Sequence, residues 1–173
     1  SQAGGTQNGG TNNTLVGYLA GGAITTGDAN TFIGSDCGDA TTTASGNTSV
    51  GQASMGVNTT GAANVAVGHG ALGSNTTASN NTAVGREALN ANTTGYDNVA
   101  VGRNALDANV GGHSNTALGE SSLTSNTTGI RNVAVGQNAL AVNLAGSENV
   151  AIGRGALDAN TASYNTAVGD SAL

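Results

Sequence analysis

The sequence predicts an all-β protein folded as a parallel β-solenoid, and three observations support this prediction. The motif Asn-x-x-(Val/Ile/Leu)-Gly recurs every seventeen residues along most of the 173-residue chain. Each copy opens with a short alternating segment, such as Val99-Ala100-Val101, that suits a β-strand. Each copy closes with Asn, Thr, Ser and Gly residues, which favour turns. Strands this short are stable only when they pair, so we expect coils stacked about 4.8 Å apart.

The motif divides the chain into ten units and one preceding segment. Residues 1–12 are rich in glycine and look like the end of an upstream repeat, whereas residues 13–173 form a single solenoid domain. Ten coils predict a rod on the order of 45–50 Å long. The last step between units is sixteen residues instead of seventeen, which indicates a turn shortened between Asn160 and Asn165. The units begin at residues 13, 30, 47, 64, 81, 98, 115, 132, 149 and 165.

The composition argues against several classes of protein. The chain has one Phe, three Tyr and no Trp, so a compact globule would have little apolar surface to bury. The net charge is −6 with only four basic residues, which disfavours nucleic acid binding and electrostatic attraction to an anionic membrane. No apolar run is long enough for a transmembrane helix, so we expect no direct membrane insertion. A single cysteine excludes an intrachain disulfide.

Stacking aligns equivalent residues along the rod. We number the positions of one unit from zero, at the leading Asn, to sixteen, and we call the residues that share a position a column. Position zero predicts an asparagine ladder, position four a glycine column at a turn, and positions three and eight the core columns. A second short strand is expected at Ala105-Leu106. Representative ladder residues are Asn81, Asn98 and Asn115, Gly85, Gly102 and Gly119, Val84 and Val101, and Leu89 and Leu106.

Position two predicts an interface with other chains. If the Val residues of the strand point into the coil, the Ala residues between them form a flat, apolar strip on the outside. Larger residues at this position in the first units, such as Leu15, suggest that the partner lies further away there. We therefore expect a homotrimer of parallel solenoids, and the alternative is a monomer with this column in solvent. The expected interface comprises Phe32, Ala66, Ala83, Ala100, Ala117, Ala134, Ala151 and Ala167.

The repeat resembles two groups of known proteins. Asn-Val-Ala-Val-Gly at Asn98 and Asn-Val-Ala-Ile-Gly at Asn149 look like the Asn-Ser-Val-Ala-Ile-Gly motif of YadA-like head repeats in trimeric autotransporter adhesins. The longer phrase that starts at Asn81 is similar to repeats of phage-type tail-fibre proteins. The resemblance implies a left-handed, trimeric β-roll that is extracellular, on a virion tail or a bacterial cell surface. It also implies that the segment belongs to a longer fibre and attaches to a cell-surface receptor or glycan.

Recognition is expected at the variable positions five, six, fifteen and sixteen. Aromatic and Arg side chains contribute most of the binding energy in many interfaces. The candidate receptor-binding residues are therefore Tyr96, Arg103, His113 and Arg131. The alternative interpretation is that these residues only keep the rod soluble.

The sequence contains no arrangement typical of catalysis, so we predict that the chain is not an enzyme and needs no cofactor or metal. His69 and His113 occupy different positions of the unit, and the Cys37 position carries small residues in other units. Ice binding is the alternative function, because Thr recurs at positions twelve and thirteen. Adjacent Thr residues of a strand would nevertheless point to opposite faces.

Overall fold

The protein is a parallel β-solenoid, as the sequence predicts. The structure is a computed structural model and describes residues 3–5 and 9–173. Ten three-residue strands form one parallel sheet in sequential order, and the chain makes about 9 turns of about 17 residues each. The strands are β1 (Thr14–Val16), β2 (Thr31–Ile33), β3 (Thr48–Val50), β4 (Val65–Val67), β5 (Thr82–Val84), β6 (Val99–Val101), β7 (Thr116–Leu118), β8 (Val133–Val135), β9 (Val150–Ile152) and β10 (Thr166–Val168).

The strands pair in the register that the repeat predicts. In the β6–β7 pair, Ala100 lies opposite Ala117, so residues of equal position face each other. The same register holds in every strand pair of the sheet. Residues that share a position therefore lie in columns along the rod, and a single substitution changes only one member of a column.

The predicted second strand at Ala105-Leu106 is wrong, because this segment is a turn. Asn104 and Leu106 have φ angles of 57° and 52°, in the left-handed region that a strand cannot use. Holding a side-chain-bearing residue there costs about 1–2 kcal/mol. Complete burial of Leu106 contributes about 1.5–3 kcal/mol and offsets this cost. The seventeen-residue coils consequently have left-handed residues at positions six, eight and sixteen, and each keeps a single strand.

The side of the strand that faces the core is the opposite of the predicted one. Ala100 is completely buried, whereas Val101 is 38% exposed on the outer face of the sheet. Val84 is likewise only partly buried, so the Val column is not a core column. Leu89 and Leu106 are buried, as predicted. The correction covers the whole expected interface column, which lies inside the coil: Phe32, Ala66, Ala83, Ala100, Ala117, Ala134, Ala151 and Ala167.

The core selects Ala at position two because position eight fills the opposite wall of the same coil. Where position two is large, position eight is glycine. A Cβ added at Gly38 would lie 2.6 Å from the ring of Phe32, and one at Gly21 would lie 2.7 Å from the Leu15 side chain. The large residues at position two of the first two coils, Leu15 and Phe32, therefore fill the space that a leucine at position eight fills in later coils. The expectation of a more distant partner chain there is wrong.

Two asparagine ladders close each coil from the inside. Asn98 Oδ1 accepts hydrogen bonds from the backbone N–H of Asn115 at 3.0 Å and from its Nδ2 at 3.2 Å. Asn98 Nδ2 donates to the carbonyl of Gly112 at 2.9 Å, and Asn109, in a second ladder at position eleven, donates to the same carbonyl at 3.0 Å. These buried amides link neighbouring coils and also join the two ends of one coil, which confirms the predicted ladder.

The glycine column marks the turn after each strand, as predicted. Gly102 has a φ of 138° and donates its N–H to the Val84 carbonyl at 2.8 Å. A Cβ on Gly102 would lie 2.5 Å from the carbonyl oxygen of Gly119 in the next coil. Glycine is needed here both for its φ and for the close approach of two backbones.

The segment before the first strand continues the same pairing where it is described. Gly4 N–H donates to the carbonyl of Ala20 at 3.0 Å, and Gly10 N–H donates to the carbonyl of Thr25 at 3.1 Å. Residues 1–2 and 6–8 of the predicted upstream segment lie outside the described residues. At the other end, Asn160 Nδ2 donates to the carbonyl of Ala162, two residues further along the chain. In the preceding coil, the equivalent Asn143 Nδ2 donates to the carbonyl of Gly146, three residues further along. The missing residue is therefore lost from that turn.

Candidate receptor-binding surface

Two of the predicted receptor-binding residues form a stack. Tyr96 and His113 share position fifteen on consecutive coils, so the fold places one ring above the other. Their ring centroids are 4.6 Å apart and their planes differ by 6°. His113 Nδ1 lies 3.3 Å from Ser114 Oγ, which helps to fix the ring. The stack preorganises both side chains, so little rotamer freedom is lost on binding.

A third predicted residue, Arg131, lies beside this stack. The coil that follows His113 carries Ile130 at position fifteen and Arg131 at position sixteen. Arg131 is exposed and pairs with Glu148 of the next coil at 3.3 Å. We call Tyr96, His113, Ile130 and Arg131 the aromatic patch. The chain reaches this patch just before the strand of the following coil.

The fourth predicted residue, Arg103, lies apart from the aromatic patch. It occupies position five, which follows the strand, and forms an ion pair with Glu120 of the next coil. Arg154 and Asp170 repeat this arrangement at 2.9 Å. Exposed pairs of this kind contribute about 0–1 kcal/mol each. The structure therefore brings three of the four predicted residues together and assigns Arg103 to an ion pair along another column.

An open groove of about 450 Å³ lies along positions five, six, nine and ten; the sequence predicts recognition at positions five and six but not at nine and ten. Gly56, Gly70 and Gly73 border the groove, with Asp39 and Asn90 among its other lining residues. Burial raises the pKa of the Asp39 carboxyl, and the charge of Asp36 raises it further. The signal in the sequence was the coincidence of glycine at positions six and nine in one unit, which leaves a hollow.

Asp107 occupies position nine, the same position as Asp39 of the groove, and its carboxylate makes the effect of charge on stability measurable. Partial burial raises the pKa of its carboxyl above 3.8, and the charge of Glu87 raises it further. The ionised carboxylate therefore reduces stability at neutral pH, and this loss disappears as the pH falls through the raised pKa. We expect Asp107→Asn to increase the melting temperature at pH 7 and to have no effect near pH 3, as measured by circular dichroism.

The matched control is Asp158→Asn, at the same position of another unit but on an exposed side chain. It should leave the melting temperature unchanged at both pH values. A pH-independent effect of Asp107→Asn would contradict the electrostatic explanation and indicate a packing change instead.

The hydroxyl groups of threonines at position twelve donate hydrogen bonds to backbone carbonyls of the next coil. Thr42 Oγ1 donates to the carbonyl of Thr59 at 3.1 Å, and Thr59 Oγ1 donates to that of Thr76 at 3.0 Å. The threonines at position thirteen, such as Thr60 and Thr77, are exposed. The two columns therefore do not form one uniform array of free hydroxyls. Ice binding stays a prediction, which a thermal-hysteresis measurement would check.

The described residues hold few groups for catalysis or metal binding. Among residues 3–5 and 9–173, no three His, Cys, Asp or Glu side chains come together in a way that could hold a metal ion. Cys37 is buried, and its Sγ lies 3.3 Å from both the Ser49 carbonyl and Ser54 Oγ. In the part of the chain that the structure describes, no helix has the length and apolar character needed to span a membrane. Comparisons of the chain with protein families, curated proteins and solved structures find no match.

Proposed function

We propose that this chain is a structural and attachment segment of a surface-exposed, homotrimeric fibre that binds a cell-surface receptor or glycan. The observation that carries the proposal is the exposed apolar face of the sheet. On β6, Val99 is 36% and Val101 is 38% exposed, and the Ala between them is buried. Position three is Val, Ile or Leu on every strand: Val16, Ile33, Val50, Val67, Val84, Val101, Leu118, Val135, Ile152 and Val168.

An apolar strip of this length favours a partner. Ten strands at about 4.8 Å make a strip on the order of 45 Å long. Continuous apolar surface of that extent is typical of an interaction site on a soluble protein. Position three of this face is always Val, Ile or Leu, and position one is always Val or Thr, so a partner meets a similar surface at every coil. A second copy of the chain satisfies this condition, because it carries the same strip with the same spacing.

A fibre restricts the symmetry of such an assembly. All rods of a fibre point in one direction, so the symmetry axis runs parallel to the rods and not across them. Three copies can then turn their sheet faces toward a common axis. The resemblance to trimeric adhesins and tail fibres favours three copies and a left-handed winding. The sheet face thereby takes the interface role that the sequence analysis gave to the Ala column.

The trimer is tested by multi-angle light scattering at micromolar concentration. The native chain should have about three times the 16.5 kDa mass of one chain. Val101→Glu places a charge on the exposed face without entering the core, so it should give a folded monomer with an unchanged β circular dichroism spectrum. Leu144→Glu is the control, because Leu144 is 54% exposed but lies in a turn outside the sheet. A native monomer would contradict the proposal.

The attachment role rests on the outward orientation of the aromatic patch. Tyr96 is 46% exposed and the Arg131 side chain is 61% exposed, while the residues that repeat in every unit form the rod. Aromatic and Arg side chains of this kind are typical anchors of binding. Fluorescently labelled protein should adhere to at least one cell type in a panel of intact bacterial and eukaryotic cells. Absence of adhesion across that panel would count against the attachment role.

A further inference from the structure

The stack leaves one face of the Tyr96 ring open. His113 covers the other face, with ring centroids 4.6 Å apart and planes 6° from parallel. This separation is close to the coil spacing of about 4.8 Å, so the rings lie across the rod. The uncovered face of Tyr96 therefore points along the rod toward the preceding coil. At position fifteen that coil carries Ser79, whose side chain is too short to cover a ring.

Two further coils extend this opening. Position fifteen is Ala62 in the coil that precedes the coil of Ser79, and it is Ser45 in the coil before that one. Ser79 Oγ accepts a hydrogen bond from Ala62 N–H at 3.0 Å, and Ser45 Oγ accepts one from Asp28 N–H at 3.0 Å, so these small residues are fixed. The result is a shallow step about 14 Å long, three coil spacings, with the Tyr96 ring as its end wall.

Polar side chains border the step. Asn80 and Asp97 occupy position sixteen on the coils that carry Ser79 and Tyr96, and both are exposed. Within the described part of the chain, neither side chain has a hydrogen-bond partner. An amide both donates and accepts, and a carboxylate accepts, so together they suit the hydroxyl groups of a sugar. The tyrosine ring adds an apolar face of negative electrostatic potential, which attracts the C–H face of a sugar ring.

We propose that Tyr96 is the stacking platform for a sugar ring of the receptor, with Asn80 and Asp97 binding its hydroxyl groups. This inference rests on the proposed attachment function and assigns the receptor contact to a glycan. The size of the site favours a sugar over a protein, since a stable protein interface takes about 800 Å² from each partner. The floor of the step consists of the small residues Ser79, Ala62 and Ser45. A trimer carries three such sites, which strengthens weak binding to a polyvalent glycan.

The experiment measures binding of the native protein and its variants to immobilised dextran, mannan and galactan by surface plasmon resonance. The native protein should bind at least one of these polysaccharides. Tyr96→Ala should weaken that binding about tenfold or more, and Tyr96→Phe should stay within about threefold, because stacking needs the ring and not the hydroxyl. Tyr164→Ala is the control, since Tyr164 is 78% exposed but not part of the stack, and it should bind like the native protein.

The outcomes separate this inference from the attachment function. Native-like binding by Tyr96→Ala, with its fold verified by circular dichroism, would overturn the platform. Equal losses for Tyr96→Ala and Tyr96→Phe would overturn stacking in favour of the hydroxyl. Adhesion to cells without binding to any of the three polysaccharides would overturn the sugar assignment and leave the attachment function intact. Failure to adhere to cells, in contrast, would count against the attachment function itself.

Discussion

Gly102→Ala should lower the free energy of unfolding by at least about 3 kcal/mol, because the backbone at this position is strained for any other residue. Gly102 has a φ of 138°, and an added Cβ would lie 2.5 Å from the carbonyl oxygen of Gly119. Relief of this clash moves the two coils apart and weakens the bond from Gly119 N–H to the Val101 carbonyl, now 2.8 Å long. Urea unfolding followed by far-UV circular dichroism, at constant protein concentration, measures the effect.

Gly111→Ala is the matched control, nine residues away in a turn. Gly111 has no left-handed φ, and an added Cβ would meet only Thr94 Oγ1, at 3.5 Å. The bond from Gly111 N–H to the Thr127 carbonyl is unaffected. The control should be neutral or stabilising by about 0.4–1 kcal/mol, because alanine reduces the entropy of the unfolded chain. Similar effects of the two substitutions would contradict the special role of the glycine column.

The sequence predicts the solenoid because its period and its polar residues leave few other solutions. Asn98 and Gly102 recur at fixed spacing, and only stacked coils bring such residues into ladders. A buried amide needs partners for its donors and its acceptor, and the neighbouring asparagine supplies them. Constraints of this kind are local to one column, so they can be read from the repeat without knowledge of the coil interior.

The direction of the strand faces could not be predicted from alternation alone. Alternation states that Val99 and Val101 share one face and that Ala100 takes the other, but it does not say which face is inside. The usual preference for large apolar residues in the core selects the wrong face here. The coil is narrow, and Leu106 already fills the space opposite the strand. Only a small residue fits between them.

The sequence predicts part of the candidate recognition site, because residues at equal positions of consecutive coils must lie next to each other. The stack of Tyr96 on His113 follows from their shared position on consecutive coils, so the sequence contains it. The separation of Arg103 from this stack also follows from its position, once the strand is known to lie between positions sixteen and five. The groove bordered by Gly70 and Gly73 is harder to predict, because it depends on missing side chains and on how the left-handed corners project.

Phe32→Ala and Gly38→Leu should each be strongly destabilising alone and nearly neutral together. Phe32→Ala leaves a cavity in a completely buried position and should cost about 3–5 kcal/mol. Gly38→Leu forces a side chain against the Phe32 ring, 2.6 Å from the added Cβ, and should cost about 1–3 kcal/mol or more. The double variant recreates the Ala and Leu pair of the other coils, in which Leu72 adopts a similar φ of 51°. Because the two separate costs add up to at least about 4 kcal/mol, a nearly neutral double variant corresponds to a coupling energy of about 4 kcal/mol or more, which urea unfolding measures.

Phe32→Ala combined with Gly46→Leu separates this packing effect from the effect on the backbone. Gly46 has a left-handed φ of 71°, comparable with the 58° of Gly38, but nothing lies within 4 Å of an added Cβ. A leucine there experiences the same backbone strain without contact with the cavity, so the two substitutions should be additive. Additivity in the Phe32 and Gly38 pair as well would mean that positions two and eight do not share one space. The orientation of the strand, with its Val column available to a partner chain, depends on that shared space.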